Sequence, residues 1–394
     1  MRLFDDLVRT DQTAKTYTES TYAYYNRSAR PGVAAMRDLL EQWFAIFPIT
    51  GQGHIRGHFR SPIENQHQAA FFELYLHELL VRLGFAVELH PPAESVATHP
   101  DYLASRNGKP AFYVEATLAG VPSAAAQAAG SRTAVVYDAI NTMDSPNFFI
   151  GVEVRGAPAT PPPARRMRND VAAWLSTLDL DLVRALDDDR NEVPTLRWTH
   201  DGWSVVFRPI PKGPKFRAKP GVRPIGVHMS EPGWLNTQGD IKDAIEKKSS
   251  RYGNLGLPYL IALNVLSLHC DRTDVLNVLF GDETTLVSEK PDGTLAVEAG
   301  ERRRNGALFG PTGPRRQIVS AVLVVSNLNP WSMGVDTPRL YHNPWAQNVL
   351  SSSHWDLPQY VPDHPNHCMT LKAGRSAAEV LGLPMPWPIP DAED

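Results

Sequence analysis

Cysteine is almost missing from this 394-residue chain, which has only Cys270 and Cys368. Two thiols cannot build a disulfide scaffold, and their scarcity fits a reducing, cytoplasmic setting. Missing too is any apolar run near the roughly 20 residues that cross a bilayer, so no membrane span is expected. The opening stretch MRLFDDLVRTDQ has acids where a signal peptide would be apolar. There is no surplus of positive charge: the formal net charge is -4, so a nucleic-acid partner would have to be met by local patches. No internal repeat is visible. Proline, in contrast, is plentiful at 34 residues and predicts many long connections. Apolar residues make up 42% and charged residues 21%, the composition of a globular protein. The length fits one large domain or two modest ones.

The most informative stretch runs from His99 to Thr117, HPDYLASRNGKPAFYVEAT. Tyr102-Leu103-Ala104 and Ala111-Phe112-Tyr113-Val114 flank an Asn107-Gly108 turn, which reads as a β-hairpin. Asp101 opens the first strand and Glu115 ends the second. In an antiparallel pair those two ends lie side by side. Carboxylates held that close repel unless a cation sits between them, and a hard divalent ion such as Mg²⁺ or Mn²⁺ suits oxygen ligands.

Pro100-Asp101, the hairpin turn and Glu115-Ala116-Thr117 resemble the core of the PD-(D/E)XK nuclease superfamily. The resemblance implies a restriction-endonuclease-like α/β fold, with a mixed central sheet flanked by helices. It implies Asp101 and Glu115 as metal ligands, joined by the Ala116 carbonyl. It implies Glu73, on the preceding helix, as a further acid for a second metal or an outer water. The activity implied is Mg²⁺- or Mn²⁺-dependent hydrolysis of DNA. Thr117 stands where the family has lysine. Lys248, or failing it Lys247, would then supply the charge from KKSSRYG, which resembles the helix after the core hairpin in that superfamily. A member that binds nucleic acid or a protein without cutting is the alternative, and a homodimer or protein partner is left open.

Along the chain, residues 1–60 read as a helical preface, with Val33, Met36, Leu39, Leu40, Trp43 and Phe44 at helical spacing and Pro48 as the stop. Residues 61–83 give the strongest helix, ended by Gly84. A nuclease-like α/β domain with insertions is expected over 61–330, and a Pro- and Trp-rich extension over 331–394. A second hairpin turns at Asp201-Gly202. The loop after it carries Lys212, Lys215, Arg217, Lys219 and Arg223 with no acid among them, a composition suited to phosphate contact beside a metal site. Ile241, Ala244, Ile245 and Tyr252 mark an apolar helical stripe on which Lys248 falls. Weak hairpin signals sit at Asp292-Gly293. His54 with His58, and His364 with His367 and Cys368, have too few ligands for a zinc site. Asn343-Pro344-Trp345 reads as a structural turn rather than a base-stacking platform.

Overall fold

The structure, a computed structural model, describes residues 1–91, 99–186, 192–219, 221–230, 236–267, 270–289, 294–363 and 368–390. The chain forms two compact units. One comprises Met1–Thr13, Thr21–Val121 and Asn236–Asp394, and the other Ala14–Ser20 and Pro122–Leu235.

The first unit is built on an eight-stranded mixed sheet whose spatial order follows the chain. Its strands are β1 (Ala86–Leu89), β2 (Tyr102–Arg106), β3 (Lys109–Ala119), β4 (Tyr259–Val265), β5 (Val319–Ser326), β6 (Arg339–His342), β7 (Gln359–Asp363) and β8 (Cys368–Lys372). β1, β2 and β3 pair antiparallel, β3, β4 and β5 run parallel, and β6 returns antiparallel to β5. Parallel strands at the centre must be covered on both faces. Every residue of β4 is accordingly buried.

The alternation of side chains divides that centre between two cores. Leu260 and Ala262 of β4 join Phe112 and Val114 of β3 on one face. Tyr259, Ile261 and Leu263 join Ala119 on the other. The first face is covered by α1 (Thr21–Arg27), α2 (Pro31–Ile46), α3 (Ile49–Phe59) and α4 (Glu64–Arg82). The second is covered by α5 (Thr237–Ser249) and α6 (Arg272–Phe280).

Residues 60 and 330 are not boundaries between the units. Met36, Leu40, Trp43 and Phe44 of the expected preface share one core with Leu76 and Leu79 of α4. Trp355, Leu357 and Trp387 of the expected extension belong to the same core, and the C-terminal segment adds β6, β7, β8 and α7 (Ala377–Leu381). Large apolar side chains spaced among prolines found a core without a long periodic run.

The second unit has a four-stranded sheet ordered Leu196–His200, Trp203–Pro211, Phe148–Arg155 and Ile225–Ser230. Its helices Ala124–Asn141 and Ala164–Ser176 pack Val136, Ile140, Met167 and Val171 against Phe148, Ile150 and Phe207. Both hairpins expected from sequence form. Asn107 and Gly108 have φ of 52 and 72, and Asp201 and Gly202 have 48 and 80. Two consecutive positive φ values are the type I′ geometry that matches strand twist. Strands Thr285–Glu289 and Leu295–Ala299 pair antiparallel, while the Asp292-Gly293 turn lies outside the described residues.

Candidate active site

The β2–β3 hairpin fixes the two acids. Tyr102 sits opposite Val114, and there the backbone ladder stops. The Asp101 carboxylate continues it, accepting from the Ala116 N–H at 2.7 Å. Asp101 is thus anchored beside Glu115 by the backbone of the next residue. In an extended strand the carbonyl of Ala116 lies on the same edge as its N–H. Glu115 alternates with the buried Val114 and faces the α5 side of the sheet, fully buried.

Helix α5 brings positive charge to that face. Its Asn236 cap accepts from Gly239 N–H, and Ile241, Ile245 and Ser249 are buried along its inner stripe. Lys248 lies at the edge of the stripe and donates from Nζ to Glu115 Oε1 at 2.6 Å, across 133 residues of sequence. Arg251 Nη1 donates to the same oxygen at 2.8 Å. The Tyr252 hydroxyl reaches Glu115 Oε2 at 2.7 Å and the His99 carbonyl at 2.8 Å, so one proton is shared between two acceptors. Arg251 and Tyr252 were not expected as site residues. Both lie just past the Ser250 cap of α5, and their signal in the sequence was their closeness to Lys248, three and four residues further on.

Glu73 of α4 comes to the same cluster with no hydrogen bond or ion pair to its carboxyl among the described residues. Burial above all, with the charges of Asp101 and Glu115 adding and Lys248 opposing, pushes that carboxyl up to about 8. Asp101 rises to about 6, through burial first and then the charge of Glu115, against the Ala116 N–H and Lys248. Near neutral pH Glu73 is therefore mostly protonated and Asp101 mostly ionised. Tyr102 ties α4 to the hairpin by donating to the Glu73 carbonyl at 3.0 Å.

Among the described residues, no group of three or more His, Cys, Asp or Glu side chains stands ready to hold a metal ion. Asp101, Glu115 and the Ala116 carbonyl offer hard oxygen donors, which fit Mg²⁺ or Mn²⁺ with water completing the shell. The raised Glu73 and Asp101 carboxyls reflect burial first and the neighbouring carboxylates second. Both oxygens of Glu115 are already engaged, Oε1 by two cationic donors and Oε2 by the Tyr252 hydroxyl, so a cation there would compete with Lys248 and Arg251 for Oε1.

Thr117 lies on the same face of β3 as Glu115 and carries no charge. It lines an open cleft of about 640 Å³ together with Glu73, Ala116, Asp240, Asp243 and Lys247. Lys247 is exposed, and the ion pair with Glu115 is made by Lys248 instead. His54 and His58, with ring centroids 4.2 Å apart on α3, line the same cleft. His364 and His367 lie outside the described residues, and Cys368 is exposed.

The basic loop belongs to the second unit and is not uniform. Lys212 is buried, donates to the Ser145 carbonyl at 2.6 Å and lies over the Phe149 ring. Arg223 is committed to the carbonyls of Ala14 and Lys15, each at 2.6 Å. Lys215, Arg217 and Lys219 remain exposed. Trp345 stacks on Phe309 at 4.8 Å beside the Asn343 turn, whose side chain is held by the Val319 carbonyl. Comparison with known protein families, with curated proteins and with solved structures finds no match to this chain.

Proposed function

We propose that this protein is a metal-dependent endonuclease of the PD-(D/E)XK type that hydrolyses phosphodiester bonds of DNA, with Lys248 acting where the family has a lysine two residues after its glutamate. The observation that carries the reading is the ion pair of Lys248 with Glu115 at 2.6 Å, beside an Asp101 carboxylate hydrogen-bonded to Ala116. Hairpin order alone would give the acids. A lysine delivered to them from a separate helix, in a chain with Thr117 at the usual place, gives a reason for the arrangement.

Asp101, Glu115 and the Ala116 carbonyl would hold Mg²⁺ or Mn²⁺. The ion when bound polarises a phosphoryl oxygen and lowers the pKa of its water. Lys248, held in place by its contact with Glu115, would stabilise negative charge developing on the phosphate. Glu73, protonated near neutral pH, can hold a proton at the edge of the cleft or, once ionised, orient a water. Thr117 can donate only a neutral hydrogen bond. Lys215, Arg217 and Lys219 supply phosphate contacts that set affinity rather than sequence preference.

A second reading, a protein that binds DNA without cutting it, is favoured by the three donors that already hold Glu115. Plasmid nicking separates the two. Wild type should nick supercoiled DNA with Mg²⁺ or Mn²⁺, and both EDTA and Glu115→Ala should abolish nicking. Cleavage that survives in Glu115→Ala would remove this site from the reaction. DNA binding without cleavage under any metal would move the protein to the second reading.

A further inference from the structure

Glu115 Oε1 accepts from two cations at once, and the two differ in burial. The Lys248 side chain is 15% exposed, the Arg251 side chain is 44% exposed, and Glu115 is fully buried. Lys248 is held within the last turn of α5, a regular helix anchored by its buried stripe. Arg251 lies beyond the Ser250 cap and packs loosely over the Tyr252 ring at 5.8 Å. Of the donors on Glu115, Arg251 loses least by leaving, because its guanidinium can exchange a half-solvated ion pair for water or another anion.

We propose that Arg251 is a gate: it neutralises Glu115 in the metal-free protein, gives up that oxygen when a divalent cation enters, and is then free for a phosphate oxygen of the substrate. The inference rests on the metal-binding reading of Asp101 and Glu115 and adds how access to that site is controlled.

Charge balance supports the exchange. The carboxylates of Asp101 and Glu115 stand against the two cations Lys248 and Arg251, both paired with Glu115. A divalent cation added to four balanced charges leaves an excess of two. Withdrawal of Arg251 lowers that excess. The same movement clears one of the two cationic donors from Glu115 Oε1. A guanidinium freed beside a bound cation suits phosphate, which it can meet with two parallel hydrogen bonds.

By linkage, metal and phosphate should each favour the released state and so strengthen one another's binding. Arg251→Gln keeps much of the side-chain volume but removes the charge. Calorimetry with Mn²⁺ alone should show this variant binding about two- to fivefold more tightly than wild type, the scale of a partly exposed ion pair. Asp101→Asn should lose Mn²⁺ binding. In a second measurement, Ca²⁺ should tighten the binding of a short DNA duplex to wild type, and that gain should shrink about tenfold in Arg251→Gln.

Mn²⁺ binding that depends on Asp101 but is no tighter in Arg251→Gln would overturn the gate and leave the metal site standing. A Ca²⁺-dependent gain unchanged in Arg251→Gln would overturn the phosphate role. Absence of Mn²⁺ binding by both wild type and Arg251→Gln would overturn the gate together with the site it serves. Thermal unfolding of each variant at matched pH identifies any loss caused by misfolding, and Arg251→Lys then provides the charge-retaining control, expected to bind Mn²⁺ as wild type does.

Discussion

Glu73 has the clearest consequence at the residue scale. Its carboxyl stands at about 8 against an ordinary value of 4.5. Between those values the folded state binds more protons than the unfolded state, so stability falls as pH rises through that window. Asp101, at about 6 against 3.8, adds a loss of the same sign at lower pH. Each proton so linked changes the slope by up to about 1.4 kcal/mol per pH unit. Urea unfolding from pH 5 to 9 should therefore show wild type losing stability on the alkaline side. Glu73→Gln should flatten the curve and exceed wild type by about 1–3 kcal/mol at pH 9. A variant no more stable than wild type there would show that Glu73 is not held protonated. The sequence placed Glu73 on an apolar helix but could not show that Asp101 and Glu115 surround it. That proximity depends on α4 and the hairpin meeting in three dimensions.

The same limit operates on elements. The hairpins were legible because Asn107-Gly108 and Asp201-Gly202 are local signals that fix both turn and register. Helices α2, α4 and α5 were legible from spacing. Helix α3 was not, since Gly51, Gly53 and Gly57 dilute its pattern and its helicity comes from packing Ile55 and Phe59 into the core. β7 and β8 lie where proline signals suggested irregular chain. In the basic loop, composition could not distinguish an exposed cation from one that satisfies buried carbonyls. The structure divides it: Lys212 and Arg223 hold backbone, while Lys215, Arg217 and Lys219 face solvent. Replacing those three together with alanine should reduce the salt dependence of DNA binding, by about 0.9 in log–log slope for each phosphate no longer neutralised. An unchanged slope and affinity would make the loop ordinary charged surface. Lys212→Ala should instead act mainly through the folding of the second unit.

At the scale of the whole molecule, the first unit is one sheet assembled from both ends of the chain around an insertion that has its own core. Parallel pairing of β3 with β4 sets Glu115 opposite Ile261 and places the helix that precedes β4 over the same face. Local spacing had already put Lys248 rather than Lys247 on the inner stripe of α5, and this long-range pairing brings that stripe to Glu115. On it rests the proposal that Lys248 takes the part of the lysine that Thr117 replaces. The deciding quantity is the single-turnover cleavage rate of DNA-saturated enzyme with Mg²⁺, compared among wild type, Lys248→Ala and Lys247→Ala. Lys248→Ala should slow cleavage by about 10²–10³-fold, the scale of one electrostatic stabiliser, while Lys247→Ala stays within a few-fold of wild type. Equal rates for Lys248→Ala and wild type, or a loss confined to Lys247→Ala, would contradict it.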